Sequence, residues 1–297
     1  MIRDLSPIEL GGSLYIPATH KNVNAVCNAD KYLQLRSCII DTEDAIGEDE
    51  LSSALENIAK MLETYTPKQL RLFIRPRNPQ VLKQLLKIKH IEKIDGFSLP
   101  KFSTEVMREY AQILTLCEHQ FYIMPVLESL DLFSRKRLEE IRDFLLTCKL
   151  PVLSLRLGGE DMMQFLGLKR RCEDNIYDLV APSRVIADVL TCFKPYGFNI
   201  TATVFNCIHQ DALYKANVKE DLRQGLIGKT IIHPEQIAPI NEAYKVSPQE
   251  FEMATKMLEE ETKAIIVQEG QMGEKFAHTA WAKVIIERHR FYGLTTD

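Results

Sequence analysis

Eight short apolar runs, each set off from the next by a longer stretch, constrain this chain more than any single motif does. They are SLYIP (13–17), SCIID (37–41), RLFIRP (71–76), GFSLPK (96–101), FYIMPVLE (121–128), VLSLRLGG (152–159), NITATVF (199–205) and TIIHP (230–234). Runs of this length and composition read as strands inside a sheet. The stretches between them carry helical patterns, expected over 23–33, 51–65 and 80–87 among others. In the second of these Leu51, Ala54, Leu55, Ile58 and Leu62 recur with a period near 3.6, a stripe that faces a core. Eight strands alternating with helices predict an α/β fold of the TIM (β/α)8 barrel type rather than an open doubly wound sheet. No G-x-G-x-x-G follows the first strand, which removes the main dinucleotide-binding signature.

The rhythm breaks twice. Residues 168–180 read as a loop inserted after the sixth strand. Near Tyr244 the alternation stops, so a barrel over 1–246 is expected to be followed by a helical extension over 247–297. In the extension SPQE (247–250) is a helix start, with Ser247 as N-cap, Pro248 at N1 and Glu250 closing a capping box. A second helix carries Phe276, Ala280 and Val284, and Trp281 and Ile285, at i, i+4 spacing. This extension is expected to pack on the barrel or on a neighbouring subunit.

A chain of 297 residues with 45% hydrophobic and 26% charged residues can bury a full core. Its formal net charge of -4, without a dense basic run, gives no footprint for nucleic acid. No apolar stretch approaches ~20 residues, so a membrane span is not expected, and MIRDLSPIELGG lacks the apolar region of a secretory signal. Cys27, Cys38, Cys117, Cys148, Cys172, Cys192 and Cys207 are odd in number and scattered. Without C-x-x-C spacing they suggest neither a zinc site nor a disulfide framework, and a reducing cytoplasm is the expected setting.

Polar residues collect at the C-terminal ends of the expected strands. Asp41, Glu43 and Asp44 follow strand two, Arg75 closes strand three, Lys101 strand four and Glu128 strand five. Glu160 and Asp161 follow strand six, and His233 ends strand eight. In a barrel these ends meet on one rim, where active sites are built. Each residue alone has a plain structural role, such as a turn acid, a helix-dipole partner or a rim ion pair. Gathered together, the carboxylates outnumber the cations and need compensation. Oxygen ligands without thiolates or clustered imidazoles suit a hard cation, Mg²⁺, with Glu128 and Asp161 as its protein ligands and Asp41, Glu43 and Asp44 holding its waters.

The segments SLYIPATH, IIDTEDAI, RPRNP, LPK, VLES, GGEDMMQFLG and GKTIIHPEQIAPINEAY occur in an order that resembles the citrate lyase β-subunit-like branch of the HpcH/HpaI aldolase superfamily. Their variant forms are similar to the lyase-like branch found beside tellurite-resistance-type genes. The resemblance implies a Mg²⁺-dependent TIM barrel that cleaves or forms a C–C bond beside a carbonyl, often on a coenzyme A thioester. It also implies metal ligands at Glu128 and Asp161, a carboxylate-binding arginine at Arg75, an acidic turn at Asp41, Glu43 and Asp44, and a homo-oligomer such as a trimer. RPRNP is one residue longer than the family's usual form, so Arg77 stands beside Arg75 as a substrate-binding candidate. Strand seven lacks the family's aspartate.

The function expected is therefore a Mg²⁺-dependent carbon–carbon lyase acting on a keto or hydroxy acid, free or as its coenzyme A thioester. Arg75, Glu43, Asp44 and Lys101 are the catalytic candidates; Arg75, Arg77, Gly159 and His20 the substrate-binding ones. Lys101 adds positive charge beside an enolate or, in a rival scheme, forms a Schiff base. His20 and His233 are candidate bases. The alternatives are a Mg²⁺-assisted thioester hydrolase on the same site and a non-catalytic barrel that serves as a binding or assembly partner.

Overall fold

The structure, a computed structural model, describes residues 4–67, 69–259, 265–268 and 271–296. The chain divides into two compact units, 1–237 and 238–297.

The first unit holds one eight-stranded parallel sheet. Its strands are β1 (Gly12–Pro17), β2 (Ser37–Asp41), β3 (Arg71–Arg75), β4 (Gly96–Leu99), β5 (Tyr122–Leu127), β6 (Leu155–Leu157), β7 (Ile200–Thr201) and β8 (Lys229–Ile231). Neighbours run β7-β6-β5-β4-β3-β2-β1-β8. A parallel bridge from Ala202 to Lys229, with the Ala202 N–H donating to Gly228 O at 2.8 Å, joins the two ends. The helices between strands are α1 (Val23–Cys27), α2 (Leu51–Thr64), α3 (Pro79–Leu85), α4 (Met107–Thr115), α5 (Arg135–Thr147), α6 (Gly159–Phe165), α7 (Val180–Phe193) and α8 (Asp211–Arg223). The fold is an α/β TIM barrel followed by further C-terminal helices, as the alternation predicts.

Every residue of β2 is buried, as a strand covered on both faces requires. Inside the barrel Ile39, Phe73 and Met124 pack with Leu5, Leu10 and Leu153, and Tyr15 and Tyr122 lie against them. Outside, α2 buries Ala54, Ile58, Met61 and Leu62, close to the predicted stripe. Each such apolar side chain contributes about 1.5–3 kcal/mol.

Three expectations are corrected. First, α1 ends at Cys27 rather than Leu33. There the Asn28 amide donates to Asn24 Oδ1 at 2.6 Å, and Ala29 and Tyr32 take positive φ (55° and 56°). Asparagine side chains that bond the nearby backbone compete with helix continuation. Second, Cys172 and Cys207 form a disulfide, Cα–Cα 5.8 Å, tying the insert after β6 to the loop after β7. They lie 35 residues apart, and the pairing of β6 with β7 brings their loops together. Third, an antiparallel hairpin, β9 (Ile265–Gln268) and β10 (Gln271–Glu274), lies where helices were expected.

The second unit also holds α9 beyond its first residue (Ile237–Ala243), α10 (Pro248–Leu258) and α11 (Lys275–Tyr292). The capping box is as read: Ser247 Oγ accepts from Glu250 N at 3.2 Å, and Glu250 Oε2 from Ser247 N at 3.2 Å. Ala254 and Met257 of α10 pack against Ala282 and Ile285 of α11, flanked by Trp281. Phe276 lies off that face and is exposed. Among the described residues no helix is long and apolar enough to cross a membrane.

Candidate active site

Strand register builds the first half of the site. Pro17 pairs with Asp41, and Asp41 with Arg75, so three strand ends finish at one level. Asp41 then folds the acidic turn, its Oδ1 accepting from Glu43 N at 3.0 Å and its Oδ2 from Ala45 N at 3.2 Å. The same carboxylate takes Arg75 in bidentate fashion, Nε to Oδ1 at 2.7 Å and Nη2 to Oδ2 at 2.6 Å, the strong form of an arginine–carboxylate pair. Arg75 Nη1 lies 2.8 Å from Glu43 Oε2 and 3.3 Å from Asp44 Oδ2. Burial opposes the Arg75 charge, yet Asp41 holds the guanidinium above its already high ordinary pKa.

Lys101 closes the turn from the other side, its Nζ 2.9 Å from Glu43 Oε1. That pairing with Glu43 raises the lysine's pKa. Its backbone takes φ 49°, a left-handed conformation uncommon outside glycine, and its N–H donates to Glu128 Oε1 at 2.8 Å.

Glu128 follows β5 and is buried. A Cβ on Gly158 would sit 2.2 Å from Glu128 Cβ, and one on Gly159 2.8 Å from Thr203 Cβ. The paired glycines therefore let the turn into α6 pass close to both neighbours, and Asp161 follows in the first turn of α6. Burial pushes the Glu128 carboxyl up to about 8, with the charges of Glu43 and Asp161 adding to the shift. Burial likewise raises Glu43 to about 7, against the pull of Arg75 and Lys101. Asp161 is raised by burial and by Asp44. Negative charge is thus under-compensated here, which is the condition a cation relieves. Among the described residues no three His, Cys, Asp or Glu side chains form a metal-ligating group. Glu128 feels the charge of Asp161, and Mg²⁺ typically takes one or two carboxylates with water completing its shell.

A cavity of about 480 Å³ is lined by Asp41, Asp44, Arg75, Glu128, Gly159 and Asp161, among others, with Glu43 and Lys101 outside its lining. Arg77, His20 and His233 also lie apart from its lining. Arg77 donates to the carbonyls of Thr42, Glu43 and Ile46, which pins the acidic turn from behind. His20 Nδ1 accepts from Asn22 N at 3.2 Å on the surface. His233 caps a 3-10 turn, with its ring 5.6 Å from that of His209. Glu160 lines the cavity and accepts from Asn206 Nδ2 at 3.1 Å.

Sequence reasoning missed Arg156, Tyr15 and Thr230, all in the cavity wall. Arg156 had a signal, since a charge in the middle of VLSLRLGG interrupts an apolar strand. Also missed was the fully buried Lys229, which donates to Asp221 Oδ2 at 2.7 Å, Asn217 Oδ1 at 2.9 Å and Thr203 O at 2.7 Å.

With this geometry described, comparison with known proteins gives a family. The model of the C–C bond lyases of the TIM-barrel fold matches residues 4–294. The chain belongs to this family. Among curated proteins, a (3S)-malyl-CoA thioesterase of Cereibacter sphaeroides is 22% identical over 251 residues, covering 82% of this chain and 80% of that protein. Among solved structures, CitE of Mycobacterium tuberculosis in complex with magnesium, acetoacetate and coenzyme A superposes with a TM-score of 0.67 at 18% identity, over 95% of this chain and 98% of CitE. A citrate lyase of Burkholderia xenovorans gives 0.74 at 15% identity, over 99% of this chain and 98% of its own. At such identities these two likenesses concern the fold alone.

Proposed function

We propose that this C–C bond lyase homologue is a Mg²⁺-dependent carbon–carbon lyase that acts on a keto or hydroxy acid, carried as its coenzyme A thioester, in a homo-oligomer of the cytoplasm. The observation that carries the reading is the pair Glu128 and Asp161, two carboxylates of raised pKa on the cavity wall beside Arg75. These two residues would hold the cation, which when bound supplies Lewis-acid polarisation of a substrate carbonyl.

The chain's own groups do the rest. Arg75, its plane fixed by Asp41, turns positive charge toward the cavity and orients a substrate carboxylate. Lys101 contributes further positive charge near the oxygen on which negative charge develops. Glu43, raised to about 7 between Arg75 and Lys101, holds a proton over part of the neutral range. The Schiff-base alternative is disfavoured because Glu43 keeps Lys101 protonated, whereas imine formation needs the free amine.

A second reading, hydrolysis of an acyl thioester with water as nucleophile, is favoured by the malyl-CoA thioesterase relative. Product analysis on hydroxyacyl-coenzyme A thioesters separates the two: a lyase releases two carbon fragments, one bearing a new carbonyl, and a thioesterase releases free acid and thiol. The metal assignment is tested by calorimetric titration of Mg²⁺ into wild type, Glu128→Gln and Asp161→Asn. Both variants are expected to lose at least about 10-fold in affinity. Unchanged binding in both would remove the metal site and with it both catalytic readings, leaving a non-catalytic binding role.

A further inference from the structure

Arg156 is a buried cation whose partners are all neutral. It is 1% exposed, projects inward from β6 and spans the barrel interior. Its Nη2 donates to Thr230 Oγ1 of β8 at 2.7 Å, and its Nη1 to Ser13 Oγ of β1 at 3.3 Å and to Met124 Sδ of β5 at 3.9 Å. Its Cζ lies 5.4 Å from the centroid of the Tyr15 ring. Its Nε is buried with no hydrogen-bond acceptor. Among the described residues no carboxylate lies within ion-pair distance of it. Charged side chains are almost never fully buried unless paired. Lys229, which is also fully buried, obeys this rule through Asp221.

Arg156 and Thr230 both line the candidate cavity. Arg156 pairs in register with Val126, and Glu128 lies two residues beyond Val126. At the rise of a parallel strand, Arg156 starts about 7 Å below the carboxylate level. The acidic rim and this cationic floor are therefore one short molecule apart.

We infer that Arg156, with the Thr230 hydroxyl, is a specificity-determining residue that pairs with a second anionic group on the substrate, at the end buried deepest in the barrel. This rests on the proposed metal–lyase reading for the position of the first carboxylate, and it narrows the substrate class to acids bearing a further carboxylate. A guanidinium suits that role because its planar fork matches a carboxylate and it needs no proton exchange to stay charged. An anion arriving there supplies the missing counter-charge and an acceptor within reach of the fork.

The test uses the full-length protein and three probes that share a 2-hydroxy acid: lactate, which has one carboxylate, and malate and 2-hydroxyglutarate, which have two. Binding is measured by calorimetry in Mg²⁺ and again in EDTA, for wild type, Arg156→Met and Arg156→Lys. In wild type at least one diacid is expected to bind about 10-fold or more tightly than lactate. In Arg156→Met that preference is expected to vanish with lactate affinity unchanged, and Arg156→Lys to restore part of it. Equal binding of all three acids by wild type would overturn the inference, and this arm needs no variant to fold. So would an equal loss of lactate and diacid binding in a folded Arg156→Met, the mark of a merely structural role. Mg²⁺ titration of the wild type keeps the two ideas separable. Intact metal binding without diacid preference sinks the Arg156 assignment alone. Diacid preference in EDTA without any metal binding sinks the lyase reading alone.

Discussion

Two arginines approach the same tyrosine, and their surroundings are opposite. Arg75 lies 5.0 Å and Arg156 5.4 Å from the Tyr15 ring centroid. At the rim, Arg75 is gripped by Asp41 and flanked by Glu43 and Asp44. In the barrel interior, Arg156 meets hydroxyls, a thioether and the ring face. One is held on the cavity wall by the protein's own ion network, fixed in place before anything binds. The other carries a charge that the protein leaves unanswered. A buried ion is thus informative about ligand chemistry only after its internal partners have been counted.

The comparison breaks or sharpens first on stability. Arg75→Met strips the partner from Asp41 and Glu43, and breaking a buried pair from one side costs about 3–5 kcal/mol. Urea unfolding of the metal-free protein is expected to show a loss of that size. A loss under about 1 kcal/mol would mean the rim network is a surface arrangement after all.

The next effect is on the carboxylate side. Gly158→Ala places a methyl 2.2 Å from Glu128 Cβ, so the glutamate must move. Divalent-cation affinity is expected to fall at least about 10-fold, as it does when groups that orient ligands are disturbed. Stability is expected to fall by about 1–3 kcal/mol. Calorimetry and unfolding on the same sample read both.

Protonation gives a third measurement. Glu43 and Glu128 rise from the ordinary 4.5 to about 7 and about 8, so between those limits the folded state binds more protons than the unfolded one. Metal-free stability is therefore expected to fall as pH rises through that window. Cation binding there is expected to release protons, visible as a buffer-dependent calorimetric enthalpy. Glu128→Gln is expected to flatten both dependences; a wild-type profile level from pH 5 to 8 would refute the crowded-carboxylate picture.

The smallest expected effect is the sharpest contrast. Arg156→Met replaces a buried charge with an apolar chain and strands no partner ion, unlike the one-sided breaking of a buried pair. Its unfolding free energy is expected within about 1 kcal/mol of wild type, or above it. A loss like that of Arg75→Met would show that Arg156 has a structural partner of comparable weight.

Much of this was legible in the chain itself. The apolar runs are strands, and Ser247, Pro248 and Glu250 cap α10 as read, because each signal acts within a few residues. The acids and cations named at the strand ends largely meet: Asp41, Glu43, Asp44, Arg75, Lys101, Glu128 and Asp161 lie at one end of the barrel. Arg77 failed to join the cavity wall although its sequence neighbourhood matches that of Arg75. The strand ends at Arg75, and Arg77, in the turn beyond it, is drawn back to the carbonyls of Thr42, Glu43 and Ile46, a partnership that motif spacing does not report. The end of α1 was misjudged because apolar spacing outweighed the asparagines that terminate it.

By itself, then, the sequence determined the architecture, the helix ends marked by local caps, and the gathering of carboxylates on one rim. Periodicity and capping are short-range, and the barrel's closure turns strand ends into neighbours without further information. Only the tertiary structure decided which charges neutralise one another, that Cys172 reaches Cys207, and that Arg156 meets no carboxylate among the described residues. Those outcomes depend on through-space distances between strands and loops far apart in sequence, and register across the closed sheet sets them.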